Sequence, residues 1–392
     1  MAVKFYFQKD RYGVEELELK RLTLLHGGTF RQRREILISI YALFKVLEYV
    51  REGRFADDLW EEIFFEYTSI GKQVPFCISI EANGLARALE TLYRCFAEQL
   101  VKEWLGYSPL LPKLELIPEH TDRVFVGLNK GESIQISFEG ENREPSGLAY
   151  FIDDCGTFSF RGTLAECIMD MFDEVFMKTS SEFYSEHTGA VYFPVERQKL
   201  SEIDKPLNVP DWKKVKTESI GYFCDMIGKH FIKQFKPESE LVKEFVKKCA
   251  VPVALMWTLR GFPFKEYGEF ASALLDDRKF GFTEEFVPVL IDEEGDIPLS
   301  KAEGHVKDTA YLLAALDCLS MKRLFVEDVD RHKDYEHQDI MKMLFDELLG
   351  FDSVLAHSLK RGVQLFATCE GDYLPWQFED YDRELTGIYR LS

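Results

Sequence analysis

The sequence predicts an α/β protein with a mixed, mainly parallel central sheet, an antiparallel β subdomain and a helical insertion, and three features carry that prediction. Near the start, the strand-like LTLLH runs into a glycine turn and then into the helix-like ILISIYALFKVLEYV. In the last third, short apolar strands alternate with helical stretches of the length that links parallel neighbours. Between these regions, residues 113–160 break into LELI, RVFVGL, SIQISF, LAYFI and TFSF, separated by Gly, Asn, Asp and Pro, which is the pattern of short antiparallel strands.

Taken in order, VKFYFQK and ELELKRLTLLH are β-rich runs separated by the turn-like DRYG, and they read as strands entering the glycine turn. Ile36, Ile40, Leu43, Phe44 and Leu47 then recur at helical spacing, so the turn stands at a helix N-terminus. ADDLWEEIFFEYTSI and NGLARALETLYRCFAEQLVKEWLG read as two further helices. After the antiparallel run, GTLAECIMDMFDEVFM reads as a helix and GAVYFPVERQKL as a strand leading into a polar turn. Residues 205–285 are amphipathic and charge-laced, with ESELVKEFVKKC and FKEYGEFASALLDD as helical pieces. The strands FVPVLID, RLFVEDVD and GVQLFATCE then alternate with the helices VKDTAYLLAALDCLS and QDIMKMLFDELLG before a terminal helix–strand pair. The expected organisation is an N-terminal lobe over 1–204, a helical insertion over 205–285 and a C-terminal lobe over 286–392.

Composition narrows the function. With 46% hydrophobic residues in 392, the chain can bury a large core. A formal charge of -20 argues against a broad nucleic-acid surface, which needs clustered Lys and Arg, and leaves only a local basic patch open. The eight cysteines form no C-x-x-C pair, which disfavours structural zinc and a disulfide framework and points to a reducing cytoplasm. No apolar run reaches the roughly 18–20 residues that span a bilayer, and no cleavable apolar segment opens the chain, so neither membrane insertion nor secretion is expected.

A strand, glycine turn and helix at one end, with an apolar strand closing on adjacent acids near the other, resemble the parts of a split nucleotide-binding site. Loop N–H groups hold phosphate there, and the acidic strand end holds metal and attacking water. EELELKRLTLLHGGTFRQRREILISIYALFK resembles the start of ABC-type ATPases of the SMC and OLD-nuclease group, often termed AAA-family ATPases. YFPVERQKL (192–200) is similar to a Y-x-P-x-x-R segment of that group, and IPLSKAEGHVKDTAYLLAAL (297–316) to its signature segment. RLFVEDVDRHKDYEHQ (323–338) resembles the Walker B strand and helix entry, and GVQLFATCEGDYL (362–374) the switch segment. Five such segments in the family's order imply an ABC-ATPase-like, P-loop NTPase-type fold.

The chain departs from the family where the chemistry resides. Against G-x-x-x-x-G-K-[ST], Gly27 keeps the first glycine and Gly28 follows it, but Gln32 stands for the second glycine, Arg33 for the lysine and Arg34 for the Ser/Thr. Gln32 adds a side chain where backbone approaches phosphate, Arg33 has a longer planar fork than lysine, and Arg34 offers no acceptor to Mg²⁺. Glu327 and Asp328 keep acids at the Walker B position, although Asp328 is one methylene shorter than the family's glutamate. Glu303, Gly304 and His305 occupy the signature position, and Glu370 replaces the switch histidine with an acceptor-only anion.

The resemblance, with these departures, implies a pseudo-ATPase without catalytic residues, metal or cofactor, acting as a scaffold or regulatory subunit. Its implied partner is an intact ATPase paralogue, a nuclease or a second copy, in DNA maintenance or defence against mobile DNA, with direct nucleic-acid contact left open. Two alternatives stand beside it. One is an active ATPase with Arg33 for the lysine and Glu327 and Asp328 for the metal, using ATP and Mg²⁺. The other is a non-hydrolysing nucleotide or anion sensor built on Arg31, Arg33 and Arg34.

Arginines at a helix N-terminus oppose the positive end of its dipole and call for a nearby anion or carboxylate, unless the turn is an ordinary solvated helix start. Because the Walker B strand is expected to end beside the loop, Arg34, or failing it Arg33, is expected to pair with Glu327 or Asp328. Asp330, His332, Asp334, Glu336 and His337 mix imidazoles and carboxylates as a metal site does, against the simpler reading of a loop entering a polar helix face. His26 and His305 read as packing residues rather than bases. Cys369 reads as a buried filler rather than a reactive thiol. Tyr192, Pro194 and Arg197 read as braces, with a partner contact as the alternative.

Overall fold

The computed structural model describes residues 2–51, 62–63, 66, 68–71, 77–118, 123–128, 134–138, 189–206, 220–237, 239–260, 275, 277–292, 294–318, 323–331, 335–349 and 363–392. The strands are β1 (Ala2–Tyr6), β2 (Glu16–Glu18), β3 (Leu22–Gly27), β4 (Thr68–Gly71), β5 (Cys77–Glu81), β6 (Lys113–Ile117), β7 (Arg123–Leu128), β8 (Ile134–Phe138), β9 (Ala190–Phe193), β10 (Lys279–Phe282), β11 (Pro288–Ile291), β12 (Ile297–Pro298), β13 (Arg323–Val326), β14 (Gln364–Cys369) and β15 (Thr386–Leu391). The α-helices are α1 (Lys9–Tyr12), α2 (Phe30–Arg51), α3 (Ala82–Leu105), α4 (Gln198–Ser201), α5 (Ile220–Phe235), α6 (Glu240–Phe245), α7 (Val251–Arg260), α8 (Gly304–Cys318), α9 (Tyr335–Leu349) and α10 (Tyr373–Trp376). The chain divides into two compact units: Met1–Leu19 with Ile38–Lys102 and Ser108–Glu186, and Lys20–Leu37 with Glu103–Tyr107 and His187–Ser392.

The first unit is built on antiparallel sheets. In β1, Val3 and Phe5 are buried while Lys4 and Tyr6 alternate outward, the period of a strand with one covered face. Its neighbours are β2 and β6, with Phe5 opposite Leu17 on one side and Leu114 on the other. Leu85, Leu89, Leu92, Phe96 and Leu100 of α3 recur at helical spacing and are buried, and Tyr93 packs edge-on against Phe5 at 5.8 Å. A second antiparallel sheet has the order β4-β5-β7-β8.

Two expectations change here. TSI, the end of the segment that reads as a helix, lies in strand β4: its β-branched Thr68 and Ile70 suit a pleated surface, and pairing with β5 outweighs the helical pattern ahead of it. The run from residue 113 is also not a single meander. β6 joins β1, whereas β7 and β8 continue from β5. The expected strands LAYFI and TFSF and the helix GTLAECIMDMFDEVFM lie outside the described residues.

The second unit is organised by a five-stranded sheet of order β15-β3-β14-β13-β9 in which every pairing is parallel. The alternation of strand and helix in the C-terminal third predicts this arrangement, because parallel neighbours need a crossover between them. β13 and β14 are buried along their whole length, as strands covered on both faces are. Tyr192, Phe325 and Phe366 stack across three neighbouring strands, with centroids 6.2 and 4.5 Å apart. The fold is thus mixed α/β, with one parallel five-stranded sheet and three antiparallel sheets among the described residues.

Helices α5, α6 and α7 add Ile227, Phe231, Phe245 and Val253 to the core of this unit. Ser239 caps α6 by accepting a hydrogen bond from the Val242 N–H. Within the segment read as helical, Lys279–Phe282 is instead strand β10, paired antiparallel with β11. Its buried Phe280 and Phe282 pack on Tyr311, and the Trp257 indole N–H donates to the Phe282 carbonyl, so tertiary contacts decide its conformation. The expected helix FKEYGEFASALLDD lies almost wholly outside the described residues.

Candidate functional site

A parallel sheet delivers the ends of all its strands to one edge, and the candidate residues of this unit collect there. Strand β3 ends at Gly27, β9 runs out into Pro194–Arg197, β13 into Glu327–Asp330 and β14 into Glu370–Asp372. β14 stands between β3 and β13 in the sheet, and the end of β13 still meets the arginines that follow the glycine turn. The gap of two strand spacings, about 10 Å, is closed by long arginine side chains from the start of α2.

The glycine turn forms for a steric reason. Gly27 and Gly28 have φ of +69° and +55°. A Cβ on Gly28 would also lie 2.8 Å from the Leu391 Cβ. Helix α2 then opens with a reciprocal cap. The Gln32 N–H donates to Thr29 Oγ1, while Gln32 Oε1 accepts from the Thr29 N–H at 2.7 Å and from its hydroxyl at 2.9 Å. Gln32 Nε2 donates to the Ser392 carbonyl. The residue at the second-glycine position therefore takes up the Thr29 N–H of the turn.

Arg33 fills the turn from inside and is 3% exposed. Its Nη1 donates to the carbonyls of Gly27 at 2.9 Å and Gly28 at 3.2 Å, and its Nε donates to Asp328 Oδ1 at 3.1 Å. The turn thus presents carbonyls to an internal cation. Asp328 itself adopts a φ of +42°, a strained position for a residue with a Cβ. It is held by Thr368 of the intervening strand, whose hydroxyl accepts from the Asp328 N–H and donates to Oδ1.

Arg34 enters a carboxylate cage. Nη1 and Nη2 donate to Glu196 at 2.8 and 3.3 Å, and Nε lies 3.1 Å from Glu327 Oε1 in an ion pair without an aligned hydrogen bond. Glu327 is fully buried; Tyr192 donates to its Oε1 at 2.5 Å and the Val195 N–H to its Oε2 at 2.7 Å. Burial raises the Glu327 pKa to about 6, with Glu196 adding to it, despite the opposing pull of Arg34, Tyr192 and Val195. Burial lowers the Arg34 pKa, but Glu327, Tyr192 and Glu196 outweigh it and the net shift is upward.

Sequence reasoning expects one arginine–carboxylate pair, and three form: Arg33–Asp328, Arg34–Glu327 and Arg34–Glu196. It missed Glu196 and the reciprocal Thr29–Gln32 cap, although T-x-x-Q ahead of an apolar run is a readable signal. Arg31 takes no part. It pairs with Glu35 at 2.9 Å and lies over the Tyr107 ring, so each arginine of the turn has a different carboxylate.

The remaining candidates sort by their contacts. Arg197 donates to the carbonyls of Pro194, Asp308 and Glu327, tying β9, α8 and the end of β13 together as a brace. Asp330 accepts from the Glu370 N–H at Oδ1 and from the Gly371 N–H at Oδ2, so it shapes the turn after β14. His332 and Asp334 lie outside the described residues, and the Glu336 side chain is likewise outside the description. His305 at the start of α8 lies 3.6 Å from Glu303 and faces His337 at 5.5 Å. His26 Nδ1 lies 2.9 Å from Asp372. Cys369 is wholly buried, and burial raises its pKa well above the usual thiol range.

No protein-family model matches the chain, and no curated protein matches it. Among solved structures it is similar to an SMC head domain from Thermotoga maritima, at 12% identity over 95% of this chain and 90% of that one, with a TM-score of 0.29. It is similar at 8% identity to an SMC head with an extended coiled coil bound to the C-terminal domain of ScpA, from Pyrococcus furiosus, over 96% and 90% of the chains, with a TM-score of 0.34. It is also similar to the recombination mediator RecF with ATP, at 11% identity over 95% and 93%, with a TM-score of 0.28. At these TM-scores the likenesses carry no argument about chemistry or partners.

Proposed function

We propose that this chain is a non-hydrolysing relative of ABC-type ATPases whose phosphate loop is closed by its own side chains, and that it acts through protein contacts as a scaffold or regulatory subunit. One observation carries the reading: the Arg33 guanidinium sits inside the turn, bonded to the Gly27 and Gly28 carbonyls and to Asp328. The side chains do not fit a magnesium nucleotide. Arg34 brings a positive charge and no acceptor to the position where the motif supplies a metal-binding hydroxyl. Both Glu327 oxygens and Asp328 Oδ1 are already hydrogen-bonded or ion-paired. Glu196, Glu327 and Asp328 outnumber the two guanidinium groups among them, so a polyphosphate would meet an excess of negative charge. A role in DNA maintenance or defence against mobile DNA rests on the motif resemblance alone.

The test is a titration of the full chain with a fluorescent ATP analogue, with and without Mg²⁺. No saturable binding in the micromolar range is expected in either condition. Micromolar, metal-dependent binding abolished by Arg33→Ala would overturn the reading in favour of a divergent active site. Metal-independent binding that raises Tm would make the arginines an anion sensor.

A further inference from the structure

Among the described residues of the second unit, helix α9 and the short helix α10 carry the most exposed aromatic groups. Tyr335 and Trp376 are each 64% exposed and Met343 is 52% exposed. Tyr335, Asp339 and Met343 are spaced four residues apart, so they share one face of α9. Tyr373 of α10 completes the group, with its ring 4.7 Å from Tyr335 and 6.2 Å from Trp376. Asp339 orients it by accepting from the Tyr373 hydroxyl at 2.9 Å and from Gln377 Nε2. Beneath, Phe345 stacks with Phe378, and both are fully buried with Leu374, so the aromatic face rests on core. Large amphipathic rings held in place at a surface have little side-chain entropy left to lose, which suits them to anchoring a partner.

The charge around this face selects the occupant. Just past Trp376, Glu379, Asp380, Asp382 and Glu384 are exposed against one exposed cation, Arg383, and the Glu379 N–H donates to the Trp376 carbonyl, which puts that acid within one turn of the indole. Lys342, the nearby cation on α9, is paired with Asp346 and lies over Tyr381. Acidic rims repel phosphate, and two copies docked through this same face would set acid against acid. We propose that α9 and α10 form the docking surface for a protein segment that places Lys or Arg over the aromatic rings, beside an aliphatic side chain against Met343. The proposal rests on the reading that the chain acts through protein contacts, and it names the chemistry of the partner.

A random peptide library displayed on phage is selected on the full chain without nucleotide, and the best peptide is synthesised and measured by fluorescence anisotropy. The recovered peptides should be enriched in Lys and Arg. Trp376→Ala should weaken binding by about tenfold or more, as loss of a central aromatic anchor does. The double variant Glu379→Gln with Asp380→Asn should weaken it a few-fold at low salt and less at high salt. Tyr335→Ser, on the other helix, serves as the second variant, and both aromatic sites are exposed enough to change without touching the core. No enrichment, enrichment without cations, or binding indifferent to both aromatic variants would overturn the proposal. So would a concentration-dependent dimer in sedimentation that Trp376→Ala abolishes, because the occupant would then be a second copy. Peptide binding that persists in a chain found to bind Mg²⁺-ATP would leave this surface standing while the closed-loop reading falls.

Discussion

Arg33 and Arg34 are adjacent in sequence and are neutralised in different ways. Arg33 is matched by one carboxylate and two backbone carbonyls, so its surroundings close around a single cation. Arg34 faces Glu196, Glu327 and, through Glu327, the Tyr192 hydroxyl, so its surroundings hold more negative than positive charge. Neighbouring residues on a helix point about 100° apart, which is why one guanidinium enters the turn and the other reaches toward β9 and β13. The difference separates two tasks. The Arg33 half fills the glycine turn from inside, and the Arg34 half holds the strand ends together around a buried acid.

The largest effect should come from breaking the cage. Arg34→Ala leaves Glu327 fully buried beside Glu196 without its counter-charge, and removal of one partner of a buried pair typically costs about 3–5 kcal/mol. Urea denaturation of the variant should show that loss as a lower midpoint with an unchanged slope. The double variant Arg34→Met with Glu327→Gln should recover most of it, because it removes both charges rather than stranding one. A loss under about 1 kcal/mol for Arg34→Ala would mean that water reaches the cage, and the contrast between the halves would fail.

Arg33→Ala should cost less, about 1–3 kcal/mol. Asp328 keeps Thr368 as a donor and its side chain is 14% exposed, so its charge can be hydrated, whereas the Gly27 and Gly28 carbonyls lose their donor. Amide hydrogen exchange should report the loosened turn as faster exchange at Thr29 and Gln32. If Arg33→Ala costs more than Arg34→Ala, the turn rather than the cage carries the stability.

These two halves were unequally legible in the sequence. The strand, turn and helix of residues 22–47 are local, so periodicity and glycine placement suffice to find them, and the resemblance pairs the arginines with the acids some 300 residues away. The parallel sheet also follows from local alternation. The strand order does not, because β14 inserts between β3 and β13 for reasons of tertiary packing. Glu196 was missed for the same cause: nothing near Val195–Arg197 says which strand end it will face until β9 pairs with β13. Thr68–Ile70 and Lys279–Phe282 fall in segments with a helical pattern yet form strands, because single short strands adopt the conformation that their sheet partners impose.

The smallest effect tests the excess negative charge of the cage through pH. The folded-state pKa of Glu327 is raised from 4.5 to about 6, so between those values the folded protein holds a proton that the unfolded chain has released. The contribution is therefore full below about pH 4.5 and is lost as pH rises through about 6. At 1.36 kcal/mol per unit it amounts to at most about 2 kcal/mol, with the pull of Arg34 already included in the raised value. Glu327→Gln removes the titration but keeps an acceptor for Tyr192. The difference in unfolding free energy, wild type minus Glu327→Gln, should fall by about 1–2 kcal/mol from pH 4.5 to 7, with its steepest change near pH 5–6. The other acids titrate in both proteins and cancel. A difference that stays flat would mean that Arg34 balances Glu327 as fully as Asp328 balances Arg33, and the two halves would then be electrostatically alike. A difference that rises with pH would mean that Arg34 overcompensates, placing the folded pKa of Glu327 below its unfolded value.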